Sequence, residues 1–337
     1  MSRFSRAPAA AVMLLPAALF LLSLRVGSYP LSFADLVHSV GELFCAPGEQ
    51  AMSTRVFWNL RFARTLTAFL TGAVLGLCGG VYQRIFMSPL ASPDLTGVAS
   101  GASFGAALAI VLGAGTSVLR MGAAFLCGML SLFLVLALVR IAGGERTGSY
   151  ILAGIVISSA ADAGLMVLKT LADPERQLAA IDFWTMGSLA AVSLPRILPM
   201  TAVTVPAILL LLLFHRPVTM LSLGGDECRA MGLSPGLWRG ILLTLSTLAV
   251  SASVSVTGTI GFIGLTAPHI TRFLLRGQRA GFLPYCAAVG ASLLLAADLA
   301  ARTVGGGAEL PVSIFTVAVG VPVLVIQLCR RGGKSYE

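Results

Sequence analysis

Residues 119–140 read LRMGAAFLCGMLSLFLVLALVR, an apolar stretch long enough to cross a bilayer as a helix. Runs of about 18 apolar residues or more recur from one end of the chain to the other. Strands of a membrane barrel would alternate polar and apolar residues over about ten positions, and these runs do not alternate. Only 11% of the residues are charged and 57% are hydrophobic, where a soluble domain carries about a quarter charged. The expectation is an all-α polytopic membrane protein. Residues 1–337 form a single transmembrane domain, because no connecting segment is long enough to fold alone.

Ten spans are expected, at about 8–25, 62–82, 95–114, 119–140, 150–170, 196–214, 237–256, 259–271, 281–300 and 311–329. The eighth is short, as a broken or half-length helix would be. Residues 7–24 follow Arg3 and Arg6 and could be read as a signal peptide. The run is long for that and no small-x-small site follows it, so an uncleaved first helix is the better reading. With the N-terminus inside, fourteen of the 23 Lys and Arg fall on inner segments, which favours both termini in the cytoplasm.

Nine basic residues remain outside: Arg25, Arg55, Arg61, Arg64, Arg120, Lys169, Arg176, Arg196 and Arg302. Arg61 and Arg64 stand three apart and share a helix face. Two readings compete for them. They dock an acidic partner, or they are interfacial arginines that reach lipid phosphate. A net charge of +9 belongs to basic inner loops in such a chain, not to nucleic-acid binding.

Chemistry is sparse. The six cysteines are scattered with no CxxC, and only three histidines exist, so neither a disulfide framework nor a metal site is supported. No nucleophile–base pattern, phosphate loop or HExxH occurs. Two carboxylates fall within apolar spans: Asp162, and Asp298 near the outer end of its span with Arg302 four residues beyond it. Intramembrane carboxylates mark ion paths by default, and Asp298–Arg302 reads as an i,i+4 ion pair at the interface. Gly72, Gly76 and Gly80, and Gly97, Gly101 and Gly105, follow the small-xxx-small pattern of close helix packing. The inner loop at about 215–240 is the one sizeable polar excursion. Within it GDECRAMG (225–232) reads as a short helix, with Asp226 and Glu227 at its start favoured by the helix dipole.

Several stretches resemble one family. GTIGFIGLTAPHITRFLLRG (258–277) is similar to the G-x-I-G-F-x-G-L-x-x-P-H-I-x-R signature of the permeases of bacterial type II ABC importers for iron-siderophores, haem and cobalamin. QRIFMSPLASPDLTGVASGASFGA (83–106), LRFARTLTAFLTGAVLGLCGGVYQ (60–83), WTMGSL (184–189), LGGDECRAMGL (223–233) and ADLAARTVGGGAELPVSIFTVAVGVPVL (297–324) match that family in order. The resemblance spans about residues 55–330.

It implies the type II importer permease fold in the cytoplasmic membrane. The partners it implies are a second permease subunit, expected to be identical, two cytoplasmic ATP-binding subunits and an extracytoplasmic substrate-binding protein. ATP and Mg would bind those ATP-binding subunits, with no cofactor in this chain. Carried over by position, Arg61, Arg64 and Arg302 would pair with glutamates of the binding protein. The inner gates would fall on Ser88, Pro89 and Leu90 and on Thr147 and Gly148. Ser88 replaces the family's asparagine and Gly148 has no side chain, which puts the polar detail of gating in question. ATPase coupling would fall on Gly225, Asp226, Glu227, Arg229, Ala230 and Gly232. The cargo expected is a ferric siderophore or similar metal chelate, with haem or cobalamin as alternatives. Two other classes stay open: an ion-coupled carrier resting on Asp162 and Asp298, and a non-transporting receptor that uses the arginine patch.

Overall fold

The computed structural model describes residues 6–26, 41, 52–143, 147–275, 281–304 and 310–332. The described residues are almost wholly helical. In chain order the helices are α1 (Arg6–Arg25), α2 (Met52–Ile85), α3 (Val98–Val111), α4 (Ser117–Ile141), α5 (Thr147–Leu171), α6 (Ala179–Thr185), α7 (Leu194–Leu213), α8 (His215–Leu221), α9 (Gly225–Ala230), α10 (Pro235–Thr257), α11 (Ile263–Leu275), α12 (Phe282–Val304) and α13 (Val312–Gly332). Each of the ten expected spans has a helix. Six of these are long and apolar enough to cross a membrane, whereas α3 and α11 are shorter. The bounds shift in three places. The second helix begins ten residues earlier than expected, the third starts only after a 3-10 turn at Pro93–Thr96, and the eighth starts at Ile263.

The last shift has a local cause. Gly258 ends α10 at φ 71°, and Phe262 takes φ 69°, a left-handed conformation rarely adopted by a bulky residue. The chain therefore turns sharply between two helices, and the turn takes up residues 259–262, which the expected span counts as helix. This turn interlocks with the WTMGSL stretch. A Cβ on Gly258 would stand 2.2 Å from the Trp184 carbonyl oxygen, and one on Gly187, also at positive φ, 2.2 Å from that of Thr259. The Ser188 amide donates to the Thr257 carbonyl at 2.8 Å, and the Ser313 hydroxyl to that of Thr259 at 3.1 Å.

At the centre of the bundle lies α2, with 89% of its apolar window buried. It packs most closely on α12 and also touches α1, α10 and α11. Glycine sets the separation. A Cβ on Gly72 would approach the Gly290 carbonyl oxygen to 2.5 Å, and one on Gly76 the Cys286 oxygen to 2.2 Å. The second expected glycine series works in the same way from Gly101 on. Cβ atoms on Gly101 and Gly105 would collide with Cys127 and Ala123 of α4, while Gly97 instead supplies a positive-φ N-cap for α3. Around this centre α3 packs on α4 and α5, and α4 and α7 both rest on α10.

Candidate functional site

At about 1.5 Å per residue, a helix of the length of α2 exceeds the bilayer core of about 30 Å. Its first turns therefore project beyond one face of that core. There the helix widens into a π-turn at Phe57–Phe62, whose last turn carries Arg61, and Arg64 follows in α-helical geometry. Both side chains turn inward and are buried, Arg61 at 6% exposure and Arg64 at 8%. Arg64 Nε lies 2.9 Å from Asp298 Oδ1, and Arg302 reaches Asp298 Oδ2 at 2.7 Å. The Asp298–Arg302 ion pair expected from the sequence is present. It is buried rather than interfacial, and it is joined by an arginine from a helix 234 residues away in sequence.

The same arginines hold the end of α1. Arg302 donates to the Ser23 hydroxyl and to the carbonyls of Ser23 and Val26, and Arg61 donates to the Val26 carbonyl. A helix C-terminus offers unsatisfied carbonyls and partial negative charge, so cations suit it. The three sequence-selected arginines thus converge on one cluster that ties α1, α2 and α12. Among the described residues, Arg64 and Arg302 share the Asp298 carboxylate, and Arg61 joins them at the Val26 carbonyl. Ser23 and Asp298 complete it; the sequence paired Asp298 with Arg302, but only the tertiary fold brings in Ser23 and sets Arg64 against Asp298.

The residues expected to form the gates lie at the opposite end of α2. Phe86 caps α2, Met87 takes φ 49°, and the chain turns through Ser88, Pro89 and Leu90. Leu90 is 68% exposed, and its amide approaches the Ser88 hydroxyl at 3.4 Å. Thr147 and Gly148 open α5; Gly148 is exposed, and a Cβ there would meet nothing. The two gate segments are joined by a contact the motifs do not include. The Phe86 ring stands 5.7 Å from the ring of Tyr150 and 5.7 Å from that of Tyr82. Tyr82 in turn approaches the hydroxyls of Thr96 and Thr247 at 3.1 and 3.4 Å.

The expected coupling helix forms as α9. Gly224 precedes it at φ 128°, Gly232 follows it at φ 79°, and Cys228 anchors it, fully buried. Asp226, Glu227, Arg229, Ala230 and Gly232 face outward, while Gly225 is half-buried. Arg229 lies 3.3 Å from Asp226. Leu223, Met231 and Leu237 add exposed apolar surface beside these charges. The arrangement offers a rigid knob with an apolar and charged surface.

Asp162 has a different setting from Asp298. It lies mid-helix on α5, of which only 17% of the apolar window is buried, and it makes no ion pair among the described residues. Lys169 on the same helix is engaged by Asp182 at 2.7 Å. Between their ends, the open faces of α4 and α7 are apolar, with Leu126, Leu130, Phe133, Leu198 and Leu209. The open face of α5 carries Ser159 and Asp162 among Leu152, Ile155 and Met166. A carboxylate facing lipid mid-span is costly, so this face suits a water-filled or protein-lined space.

These features meet in one comparison. A family model for the FecCD transport family matches residues 14–330. The chain belongs to that family. Among curated FecCD relatives, the vitamin B12 import system permease protein BtuC of Escherichia coli O157:H7 is 36% identical over 314 residues, 93% of this chain and 91% of the relative. The protein of the same name from Klebsiella pneumoniae is 35% identical over 299 residues, 88% of this chain and 89% of the relative. Among solved structures, a chain described as an inward-facing, metal-chelate type ABC transporter superposes with TM-score 0.83 at 31% identity. The match covers 95% of this chain and 98% of that one. PsaBC from Streptococcus pneumoniae, at 17% identity and TM-score 0.58, shares the fold. This FecCD chain is a multi-pass type II ABC importer permease.

Proposed function

We propose that this permease moves a corrinoid or a related bulky metal chelate inward, driven by ATP hydrolysis in a separate cytoplasmic subunit. The observation that carries the cargo is the 36% identity to vitamin B12 import permeases over 93% of the chain. The ferric siderophore expected from the motifs is the second reading, favoured by the metal-chelate description of the similar structure. Two copies would face each other through α5, so that each lends its Asp162 to the wall of the path. A carboxylate there disfavours strongly anionic chelates, and cobalamin, whose side chains are mostly amides, suits it better.

The termini lie inside. The gate residues and α9 then face the cytoplasm, where α9 seats in the ATP-binding subunit and carries its closure to the bundle as a rigid-body movement. The arginine cluster lies outside. A binding protein that presents glutamates would compete there with Asp298 and the α1 carbonyls for Arg61, Arg64 and Arg302, which steers encounter and orientation.

The test is reconstitution of the permease in liposomes with its ATP-binding and binding-protein partners, measuring uptake of labelled cyanocobalamin, ferric siderophore and haemin. ATP-dependent uptake of the corrinoid alone is expected. Uptake of a ferric siderophore alone would move the cargo to the second reading. Uptake driven by a proton gradient without the ATPase would overturn the class.

A further inference from the structure

A crevice opens between α4 and α7 at their N-terminal ends. Both helices rest on α10, whose Ala252 and Ser255 form the floor. The lower chamber holds about 470 Å³ and is walled by Val118, Met121, Phe125, Pro199, Met200 and Val203. That volume is within the range of about 300–1,000 Å³ typical of small-molecule sites. A smaller pocket of about 190 Å³ adjoins it and shares Ser117, Met121, Arg196 and Ser255. This upper pocket is lined by Arg120 and Arg196 together, with Trp184 beside them.

Polarity is sorted along the crevice. No Asp or Glu lines either pocket, and among the described residues neither arginine forms an ion pair with a carboxylate. Arg196 gives one N–H to the Ala191 carbonyl at 2.6 Å, which does not neutralise it. Two like charges sharing one pocket repel, and an anion between them relieves that repulsion. The helix ends add to the field. α4 starts at Ser117 and α7 at Leu194, so two positive dipole ends converge on the same place. The Ser193 side chain makes no capping bond to α7.

The surroundings identify the visitor. The exposed flanks of the crevice are apolar, with Val118 at 73%, Leu119 at 60% and Leu198 at 63% exposure. Surface of that kind in a membrane-spanning bundle faces acyl chains. By the topology above, both helices begin on the outer side, at headgroup depth, where Trp also sits at ease.

We propose that the crevice seats an anionic glycerophospholipid of the outer leaflet. Its phosphate lies between Arg120 and Arg196, and one acyl chain fills the chamber between α4 and α7. Guanidinium groups match phosphate oxygens in geometry and charge, whereas a free inorganic anion would leave the apolar chamber empty. The lipid closes a gap that protein side chains leave open, next to α6 and the Gly258 turn.

The experiment is native mass spectrometry of the purified full-length permease, in its natural oligomeric state, after equilibration with phosphatidylglycerol or phosphatidylcholine. Retention of phosphatidylglycerol is expected to exceed that of phosphatidylcholine by about tenfold, because both lipids offer the phosphate but only phosphatidylcholine brings a quaternary ammonium that the two arginines repel. The double variant R120Q/R196Q should erase that preference, while R120K/R196K should keep most of it. Gly122→Leu provides an independent variant. Gly122 lines the chamber and a Cβ there meets nothing within 4 Å, so the leucine fits but occupies the space of the acyl chain. It should lower retention of both lipids. Equal retention of the two lipids by the wild type would overturn the proposal, as would retention unaffected by both R120Q/R196Q and Gly122→Leu. Displacement of the lipid by millimolar inorganic phosphate alone would show a plain anion site and would overturn it too.

Discussion

Asp298 and Asp162 both fall in membrane-spanning helices, and the fold treats them in opposite ways. Asp298 has no exposure and is held from two sides by Arg64 and Arg302, in a region where glycines press α2 and α12 together. Asp162 stands on the open face of α5, and Lys169, about two turns further along the same helix, is already committed to Asp182. A carboxylate within a membrane is therefore not one kind of sign. Where two cations and close backbone packing surround it, it fastens helices. Where a whole helix face is left open around it, it marks a surface that something other than lipid must cover. The ion-coupled alternative rested on both residues, and the geometry of Asp298 gives that one a structural role.

The largest way to break the contrast is to pry the tight region apart. Gly76→Leu would place a side chain into the Cys286 carbonyl, at a cost of about 3 kcal/mol or more. The expected outcome is loss of monodisperse protein in detergent size-exclusion chromatography. Gly148→Ala, on the open helix, should leave the elution profile unchanged. Asp298→Ala comes next. It removes the carboxylate that two buried arginines share, which costs about 3–5 kcal/mol. A lowered midpoint in thermal unfolding checks it, and Asp162→Ala should leave that midpoint unchanged, since surface changes alter stability by only about 0.5 kcal/mol.

Smaller in stability but sharper in meaning is Asp162→Asn. It should keep ATP-dependent uptake and raise the relative uptake of an anionic chelate over cobalamin by several fold. An unchanged cargo ratio in reconstituted vesicles would remove Asp162 from the path. The smallest structural effect belongs to Glu227→Ala with Arg229→Ala on the exposed face of α9. Thermal unfolding should not move, while ATP hydrolysis should separate from uptake. If both activities survive together, the coupling role of α9 fails.

Much of this fold was legible from the chain. Long apolar runs locate the helices because lipid demands them, and Gly72 and Gly76 mark a close helix contact because only glycine admits it. GDECRAMG gave a short helix between glycines, and it is one. The cluster was half legible. Asp298 and Arg302 pair at a helical spacing that sequence displays, but Arg64 and Ser23 join them through contacts between distant segments. The burial of the arginines followed no local pattern either, since an outer-facing stripe and an inward one look alike until the π-turn of α2 sets the rotation. The break after residue 256 was expected, but the extension of its turn through Phe262 was hidden because apolar residues continue through it.

The interlock between WTMGSL and the Gly258 turn has a consequence for how this chain can vary. A side chain at Gly187 would strike one segment's backbone and a side chain at Gly258 the other's, each at 2.2 Å. Neither segment can drift alone, although some 70 residues separate them in the sequence. In a saturation library the two glycines would behave as a single letter written twice, and a permease grafted with one stretch from a distant donor would need the other from the same source.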